Sequence, residues 1–310
     1  MIGYKNILTT TAASIALLFS TTACAQQQKP TPVATTQAPV ADAEMRGPAL
    51  WKVADEDTTI YLFGTVHILP EDIDWYTGPI SEALTSSDKL VTELYMTPEA
   101  EATAGQLFMT SGMLPAGTTL RSLLTEEQKT SYEAAMAKVG LPPAAFDQFE
   151  PWFAGINLSM LPLIQAGYSP ESGVEKVLEE KAGDKPRGEL ESIAFQVGVF
   201  DGLPQESQIA FMMEAADGID EIVPTLDAMV DEWVEGDAAE LGTLMNASLT
   251  DPALAEALLF SRNATWAEWI DDRMDEPGTV FIAVGAGHLA GEKSVQDLLE
   301  LRDFTVTRVQ

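Results

Sequence analysis

The sequence contains one cysteine and only two histidines in 310 residues. A single cysteine excludes an intramolecular disulfide, so the stability of the fold must come from its core. The hydrophobic content of 46% provides enough apolar surface for such a core. Because Cys24 lies where the N-terminus is expected to be processed, a catalytic cysteine is excluded as well.

Basic residues are also scarce, with 17 lysines and arginines against 48 acidic residues and a formal charge of −31. A chain with this charge repels phosphate, which excludes nucleic acid as a partner. The same charge attracts divalent cations and basic peptides, although a contribution to solubility explains it at least as well.

Long apolar runs are confined to the N-terminus, where the stretch from Ile7 to Phe19 follows Lys5 and is short for a membrane span. This pattern is typical of an export signal, which we place at residues 1–25. Two kinds of processing fit it. The segment Ala23-Cys24-Ala25 suits ordinary secretory cleavage, whereas lipidation of Cys24 would make the protein a bacterial lipoprotein. We favour the lipoprotein, and we expect an exported, periplasmic or cell-envelope protein, attached to the membrane if Cys24 carries lipid.

The rest of the chain divides into a tether and one domain. Residues 26–46 are rich in proline, glutamine, threonine and alanine, which indicates a flexible linker. Residues 47–310 alternate strand-like and helix-like segments at both ends, with a mostly helical middle from about 97 to 274. We therefore predict an α/β domain. Its central mixed or parallel sheet is built from the N- and C-terminal segments, around a large helical insertion. The predicted strands cover residues 49–54, 58–63, 89–96, 279–284 and 304–309, and the flanking helices cover 78–86 and 292–301.

Both histidines follow a predicted strand in the same way. His67 ends TTIYLFGTVH and His288 ends GTVFIAVGAGH, so each closes a Gly-x-x-His motif after an apolar run. In open α/β sheets, sites form at the carboxyl ends of strands. Gly64, Gly285 and Gly287 permit tight turns there. A lone histidine in this setting would more often only cap its strand, but two matching ones favour a functional site.

Glu93 interrupts the apolar run KLVTELYM, where a buried carboxylate is costly unless it is paired or bound to a cation. A half-exposed edge strand is the alternative explanation. Glu191 and Glu175 are weaker candidates, because both could be solvated helix residues.

Arg262 lies within the apolar stripe of a predicted helix and therefore needs an anion. That anion could be a core carboxylate, a substrate carboxylate or an oxyanion, and Asn263 beside it could supply amide hydrogen bonds. The alternative is an arginine that extends from the margin of the stripe into solvent.

Two imidazoles and one or two carboxylates form a mixed nitrogen and oxygen site suited to Mn²⁺, Co²⁺ or Zn²⁺. Such a metal could polarise a carbonyl group and lower the pKa of bound water. Glu93 would be a ligand or general base, and Arg262 would stabilise an oxyanion or bind a substrate carboxylate. HExxH and GxSxG motifs are missing, and GAGHLAG departs from the dinucleotide-binding pattern.

The segments FGTVHILP, VTELYM, SRNATWAEWI and AVGAGHLAG, in this order, resemble the TraB/PrgY/GumN family. That family is related to the Tiki proteins, which are membrane-tethered metalloproteases. The resemblance covers about residues 49 to 309. It implies a site of two GxxH motifs, a glutamate and an arginine, with manganese or cobalt as cofactor. By position, these residues are His67, His288, Glu93 and Arg262.

Together these features predict an exported metal-dependent hydrolase, specifically a peptidase that acts on peptide or protein substrates in the cell envelope. One alternative is a protein that binds a peptide, haem or metal without turnover. Another is a metal-dependent esterase or amidase that uses the same residues on small substrates.

Overall fold

A computed structural model of the chain describes residues 47–76, 78–249 and 251–310. The predicted signal peptide, the tether and Cys24 lie outside these residues. Across the described ranges, no helix is both long and apolar enough to cross a membrane.

A mixed sheet lies at the centre of the domain, and its described strands have the order β4-β3-β5-β2-β1-β6. Strands β4, β3, β5 and β2 run parallel to one another, whereas β1 is antiparallel to both β2 and β6. The prediction of an α/β fold with a central mixed sheet is thus confirmed. The strands are β1 Leu50–Ala54, β2 Thr58–Thr65, β3 Lys89–Thr92, β4 Arg187–Glu189, β5 Gly278–Gly285 and β6 Val306–Arg308.

Helices form most of the remaining described chain. Short 3₁₀ turns occur at Leu120–Leu123, Pro170–Ser172 and Ala286–Leu289, and a π-helical turn occurs at Glu256–Phe260. The α-helices are α1 Gly78–Ser86, α2 Pro98–Ser111, α3 Glu126–Lys138, α4 Pro151–Gln165, α5 Val174–Ala182, α6 Ile193–Asp201, α7 Gln205–Asp217, α8 Ile222–Glu235, α9 Ala238–Ser248, α10 Pro252–Ala255, α11 Ser261–Met274 and α12 Val295–Glu300.

The apolar run of β5 is buried on both faces of the sheet. Val280, Ile282 and Val284 pack into a core shared with α11 and α12. Phe281 and Ala283, which point the opposite way, join a core on the other face with α1 and α8. Alternate residues of a strand point to opposite faces, so a continuous apolar run is the expected sequence of a strand covered by helices on both sides. A third core joins α3, α4 and α7.

The boundaries of several elements differ from the sequence predictions. Strand β3 ends at Thr92 rather than at 96, which makes Glu93 the first residue after the strand. Since β3 lies between β4 and β5, the edge-strand explanation of Glu93 is wrong. Strand β4, inside the predicted helical middle, was not predicted because three residues carry no recognisable periodicity. Helix α12 begins at Val295 rather than at 292, and β6 begins at Val306 rather than at 304.

Candidate functional site

The candidate site lies at the carboxyl ends of the four parallel strands, which are all at the same end of the sheet. His67 comes two residues after β2, Glu93 directly after β3, and Glu191 two residues after β4. His288 comes three residues after β5, within a 3₁₀ turn. Because the carboxyl ends of parallel strands share an edge, four residues far apart in sequence are brought to one place.

Gly285 marks the centre of this group. A Cβ atom at that position would lie 3.2 Å from Oε1 of Glu93, 3.5 Å from Cδ2 of His288 and 3.9 Å from Nε2 of His67. The Nε2 atom of His288 is itself 3.8 Å from Oε1 of Glu93. The two histidines and the glutamate therefore surround a small space that glycine leaves open.

His288 is buried, and its tautomer is set by Asn263. Its Nδ1 atom is 2.6 Å from Oδ1 of Asn263, while Nδ2 of Asn263 donates a hydrogen bond of 2.9 Å to the carbonyl oxygen of Lys293. The second bond orients the amide so that its oxygen faces the ring, and Nδ1 must then carry the proton. Burial lowers the pKa of the His288 imidazole to about 3. At neutral pH, Nε2 therefore presents a lone pair toward Glu93.

His67 is held in the same manner by a carboxylate. Its Nδ1 atom donates to Oε1 of Glu175 at 2.7 Å, and Thr65 Oγ1 donates to the same oxygen at 2.5 Å. The Glu175 charge raises the pKa of His67 to about 9. Although 72% of the His67 side chain is exposed, the bond to Glu175 fixes its ring orientation. Glu175 thus belongs to the site, contrary to its interpretation as a solvated helix residue.

The two oxygens of Glu93 have different partners. Oε1 accepts a hydrogen bond from the Gly285 backbone N–H at 2.7 Å, on the side of the histidines. Oε2 accepts from Nη2 of Arg262 at 2.5 Å and from Nε2 of Gln196 at 2.9 Å. Burial alone would raise the pKa of Glu93, but the nearby His288 and Arg262 side chains outweigh it and lower that pKa to about 2. The carboxylate is therefore ionised at neutral pH.

Arg262 is buried, so the interpretation of a solvent-directed arginine is wrong. Its Nε and Nη2 atoms each donate to Glu191 at 2.8 Å, and Nη1 donates to the carbonyl oxygen of Leu258 at 3.0 Å. Of the three anions considered for Arg262, the structure shows core carboxylates, Glu191 and Glu93. With most of its N–H groups engaged, Arg262 is placed to position Glu93 rather than to contact a substrate.

Sequence reasoning missed Gln196 and Thr65 and underrated Glu191. Nε2 of Gln196 donates to both Glu93 and Glu191, at 2.9 and 3.0 Å, and so connects the two carboxylates. Gln196 lies in the first turn of α6, where a polar residue looks like an ordinary exposed side chain. Thr65 offered a weak signal, as the polar residue between the glycine and the histidine of the first motif.

Glycines at the site also allow close packing of the two GxxH segments. A Cβ at Gly64 would lie 3.0 Å from Cα of Ala286, and one at Gly287 would overlap Met245. The carbonyl oxygen of Gly64 accepts a hydrogen bond of 2.8 Å from Trp233 Nε1. Small residues therefore let the end of β2 approach the turn after β5.

Two cavities open onto the site from different sides. One, of about 360 Å³, is lined mainly by methionine and leucine side chains. The other, of about 580 Å³, is more polar and includes Glu175 and Lys176. His67 and Glu93 line both cavities, so both cavities border the site.

The candidate site has more negative than permanent positive charge, as a cation-binding site requires. Glu93, Glu175 and Glu191 oppose one permanent cation, Arg262. Within the described ranges, however, no three histidine, cysteine or carboxylate side chains are already spaced as a metal-holding group. The donor types suit a divalent transition metal.

The chain is similar in sequence to known proteins. The family model described as TraB/PrgY/gumN family matches residues 49–308. An uncharacterized protein of Treponema pallidum (strain Nichols) is 25% identical over 270 residues, which cover 81% of this chain and 80% of that protein. The uncharacterized protein YbaP of Escherichia coli (strain K12) is 23% identical over 241 residues, which cover 77% of this chain and 87% of YbaP, and YbaP of Shigella flexneri has the same values. No solved structure matches the chain.

Proposed function

The chain belongs to the TraB/PrgY/gumN family, and we propose from this membership and the site geometry that it is an exported metal-dependent hydrolase. We further propose that it is a peptidase acting on peptides in the cell envelope. One observation carries the proposal. The two histidines, each held through Nδ1 by an acceptor, meet Oε1 of Glu93 around the space that Gly285 leaves open.

This arrangement is the one that metal-ligating histidines commonly have. A ligating imidazole usually donates its other N–H to a carboxylate or carbonyl group, which fixes the tautomer and makes the ligand more basic. Glu175 serves His67 in this way, and the Asn263 amide oxygen serves His288. His67, His288 and Glu93 would therefore hold the ion, with Mn²⁺ or Co²⁺ favoured and Zn²⁺ suitable.

The charge of the site supports a divalent ion. In the metal-free protein, three carboxylates oppose Arg262 and the protonated His67, and loss of that proton on metal binding would leave two unbalanced negative charges. A dication would balance them, which lowers the cost of keeping these charges out of water. When bound, the ion would supply Lewis acidity toward a peptide carbonyl group.

Neighbouring side chains would orient Glu93 and keep it ionised. Arg262 and Gln196 hold Oε2 of Glu93 and keep the carboxylate ionised, which leaves Oε1, on the side of the histidines, as the oxygen that would hold the ion. Glu191 neutralises Arg262 and fixes its plane through two hydrogen bonds. The substrate would lie across His67, which borders both cavities, because an extended peptide needs room on both sides of the bond that is cut.

Export and membrane attachment complete the proposal. The apolar stretch after Lys5 would direct the chain out of the cytoplasm, and lipid on Cys24 would attach it to the envelope membrane. Mass spectrometry of the mature protein purified from its cells would test this. A diacylglyceryl adduct on Cys24 supports attachment, whereas a mature N-terminus at Gln26 contradicts it.

The activity is tested with the purified protein and a mixture of unstructured peptides, analysed by mass spectrometry with Mn²⁺, Co²⁺, Zn²⁺ or EDTA. We expect metal-dependent cleavage that Glu93→Gln and His67→Ala abolish. The exposed His67 ring makes its replacement compatible with folding. Glu127→Gln, an exposed glutamate of α3, is the matched control and should cleave normally.

Absence of cleavage by a folded protein under every metal would contradict a peptidase. If small esters or amides were then hydrolysed, the same site would belong to an esterase or amidase. If no product formed but metal or peptide still bound through the histidines, the protein would be a binding protein.

A further inference from the structure

We propose that the apolar cavity beside His288 is a specificity subsite that receives one large apolar side chain of the substrate, next to the bond that is cut. This inference rests on the proposed function and adds a substrate class to it: peptides with leucine, methionine or phenylalanine at that position. Three observations carry it, namely the continuity of the cavity with the site, the chemistry of its walls and its size.

The cavity begins at the candidate catalytic groups. Its lining includes His67, Glu93, Gly285 and His288, so a ligand in the cavity lies directly beside the space around Gly285. A peptide whose carbonyl group is near Glu93 therefore has an adjacent side chain within reach of the cavity.

The walls away from the site are apolar and come from the helical middle of the chain. Helices α4, α8 and α9 and the π-helical turn before α11 each contribute. Leu163, Val230 and Leu241 line the cavity and are buried. The remaining large side chains are only half-buried, as expected where they face an open volume: Met160, Leu226, Met229, Met245, Leu258 and Leu259.

The π-helical turn at Glu256–Phe260 links this wall to the site. Leu258 and Leu259 are consecutive, yet both line the cavity. The carbonyl oxygen of Leu258 also accepts a hydrogen bond from Nη1 of Arg262. A π-bulge costs stability and occurs frequently at functional sites. Here it supplies two leucines to the cavity and one acceptor to the arginine that holds Glu93.

Size and flexibility define what the cavity accepts. A volume of about 360 Å³ is at the small end for ligand pockets and is ample for one leucine, methionine or phenylalanine side chain. Three methionines in the wall can adjust to different shapes, since their side chains are unbranched and polarisable. We expect similar acceptance of leucine, methionine and phenylalanine. A charged residue should be rejected, because the apolar wall away from the site offers it no partner.

Nuclear magnetic resonance of methionine methyl groups tests binding without any need for turnover. The protein, labelled with [¹³C]methyl methionine and freed of metal, would be titrated with N-acetyl-leucinamide, and in parallel with N-acetyl-glycinamide. We expect the leucine compound to shift the signals of Met160, Met229 and Met245. The signal of Met109, which is exposed on α2, should not move. Shifts confined to other methionines would overturn the subsite.

Cleavage kinetics provide the second test. Peptides that differ only at the residue beside the cut bond would be compared in wild type and in Met229→Trp, which fills the cavity. We expect wild type to prefer leucine over alanine by at least about 10-fold in kcat/KM, because a single methylene group is already worth about 10- to 200-fold in a hydrophobic pocket. Met229→Trp should reduce this ratio to near one, while the matched surface variant Met109→Trp should retain it.

The two proposals fail in different ways. Cleavage without any preference, together with unshifted signals of the three methionines, would refute the subsite and leave the peptidase intact. Shifted signals with no cleavage under any metal would refute the peptidase, but the apolar binding site would stand.

Discussion

The Nδ1 atom of His288 lies 2.6 Å from Oδ1 of Asn263, and this contact determines which nitrogen of the buried histidine is available to the site. Asn263 cannot rotate its amide without losing the bond to the carbonyl oxygen of Lys293. The lone pair of Nε2 is thereby directed toward Glu93, 3.8 Å away. Asn263 is thus a positioning residue that acts through His288.

Asn263→Ala should weaken the binding of Mn²⁺ or Co²⁺ by about 10- to 100-fold, the usual effect of removing a group that orients a metal ligand. Isothermal titration calorimetry at constant pH measures this. Asn157→Ala is the matched control, because Asn157 donates only to the Phe153 carbonyl oxygen of its own helix. Equal affinities of Asn263→Ala and wild type would show that the His288 tautomer needs no partner.

Arg262→Met should lower the free energy of unfolding by about 3–5 kcal/mol, because it leaves the carboxylates of Glu93 and Glu191 buried without a counter-charge. Urea unfolding of the metal-free protein measures the change. Arg302→Met, which removes a more exposed arginine near Glu268, should cost less than about 1 kcal/mol.

A double variant separates the cost of unpaired charge from that of lost packing. Arg262→Met combined with Glu191→Leu removes one of the two stranded carboxylates and should recover part of the loss. If the double variant were as unstable as the sum of both single variants, packing of the guanidinium would be the main contribution instead.

Gly285→Ala should retain the fold but lose metal binding. The φ angle of −48° at this position is accessible to alanine, yet the added methyl group would lie 3.2 Å from Oε1 of Glu93 and 3.5 Å from His288. We expect at least a tenfold weaker affinity for Mn²⁺, with the far-ultraviolet circular dichroism spectrum unchanged. Gly198→Ala in α6, where a Cβ meets no atom within 4 Å, should bind metal normally. Unaltered affinity of Gly285→Ala would place the ion elsewhere.

In metal-free protein, the pKa of His67 should lie above the ordinary histidine value and the pKa of His288 below it. The Glu175 carboxylate raises the pKa of His67 from 6.5 to about 9, and burial lowers the pKa of His288 from 6.5 to about 3. Because the chain has only two histidines, ¹H–¹³C correlation spectra of the imidazole groups should show one signal that titrates near each value. Glu175→Gln should return the higher pKa toward 6.5, and equal pKa values in wild type would refute both environments.

These pKa shifts also determine how each histidine affects stability as pH changes. The raised pKa of His67 contributes stability that is fully present below pH 6.5 and is lost as pH rises toward 9. The lowered pKa of His288 reduces the free energy of unfolding in acid. Below pH 6.5 the histidine binds a proton in the unfolded chain, whereas in the folded chain it stays neutral down to about pH 3. His288→Gln should therefore flatten the loss of stability between pH 6.5 and 4, measured by urea unfolding.

Sequence patterns identified the elements whose signal is local. Continuous apolar runs indicated β2 and β5, and the two Gly-x-x-His motifs at their ends indicated where His67 and His288 would lie. The helix predicted at residues 78–86 has those bounds in the structure. Short or irregular elements escaped prediction: β4 has three residues, and the π-helical turn before α11 has an ordinary amphipathic sequence.

Some residues of the site were recognisable in the sequence, whereas the roles of others were visible only in the structure. Glu93 and Arg262 were recognisable because a charge within an apolar run is costly, and this cost is visible in the sequence. The role of Arg262 was not visible, since it depends on which carboxylates pack against the guanidinium. Glu175, Glu191 and Gln196 looked like ordinary helix residues because their partners are about 100, 70 and 100 positions away in the chain.

By itself, the sequence determined the fold class, the two strand-end histidines and the carboxylate and arginine that needed partners, because these follow from periodicity and from the cost of burying charge. The tertiary structure alone decided the rest. It brought the ends of four parallel strands to one edge, paired Arg262 with Glu191 and Glu93, and placed the methionine-lined cavity beside His288. Those relations depend on contacts between distant segments, whose partners are chosen by packing and are not encoded in any local pattern.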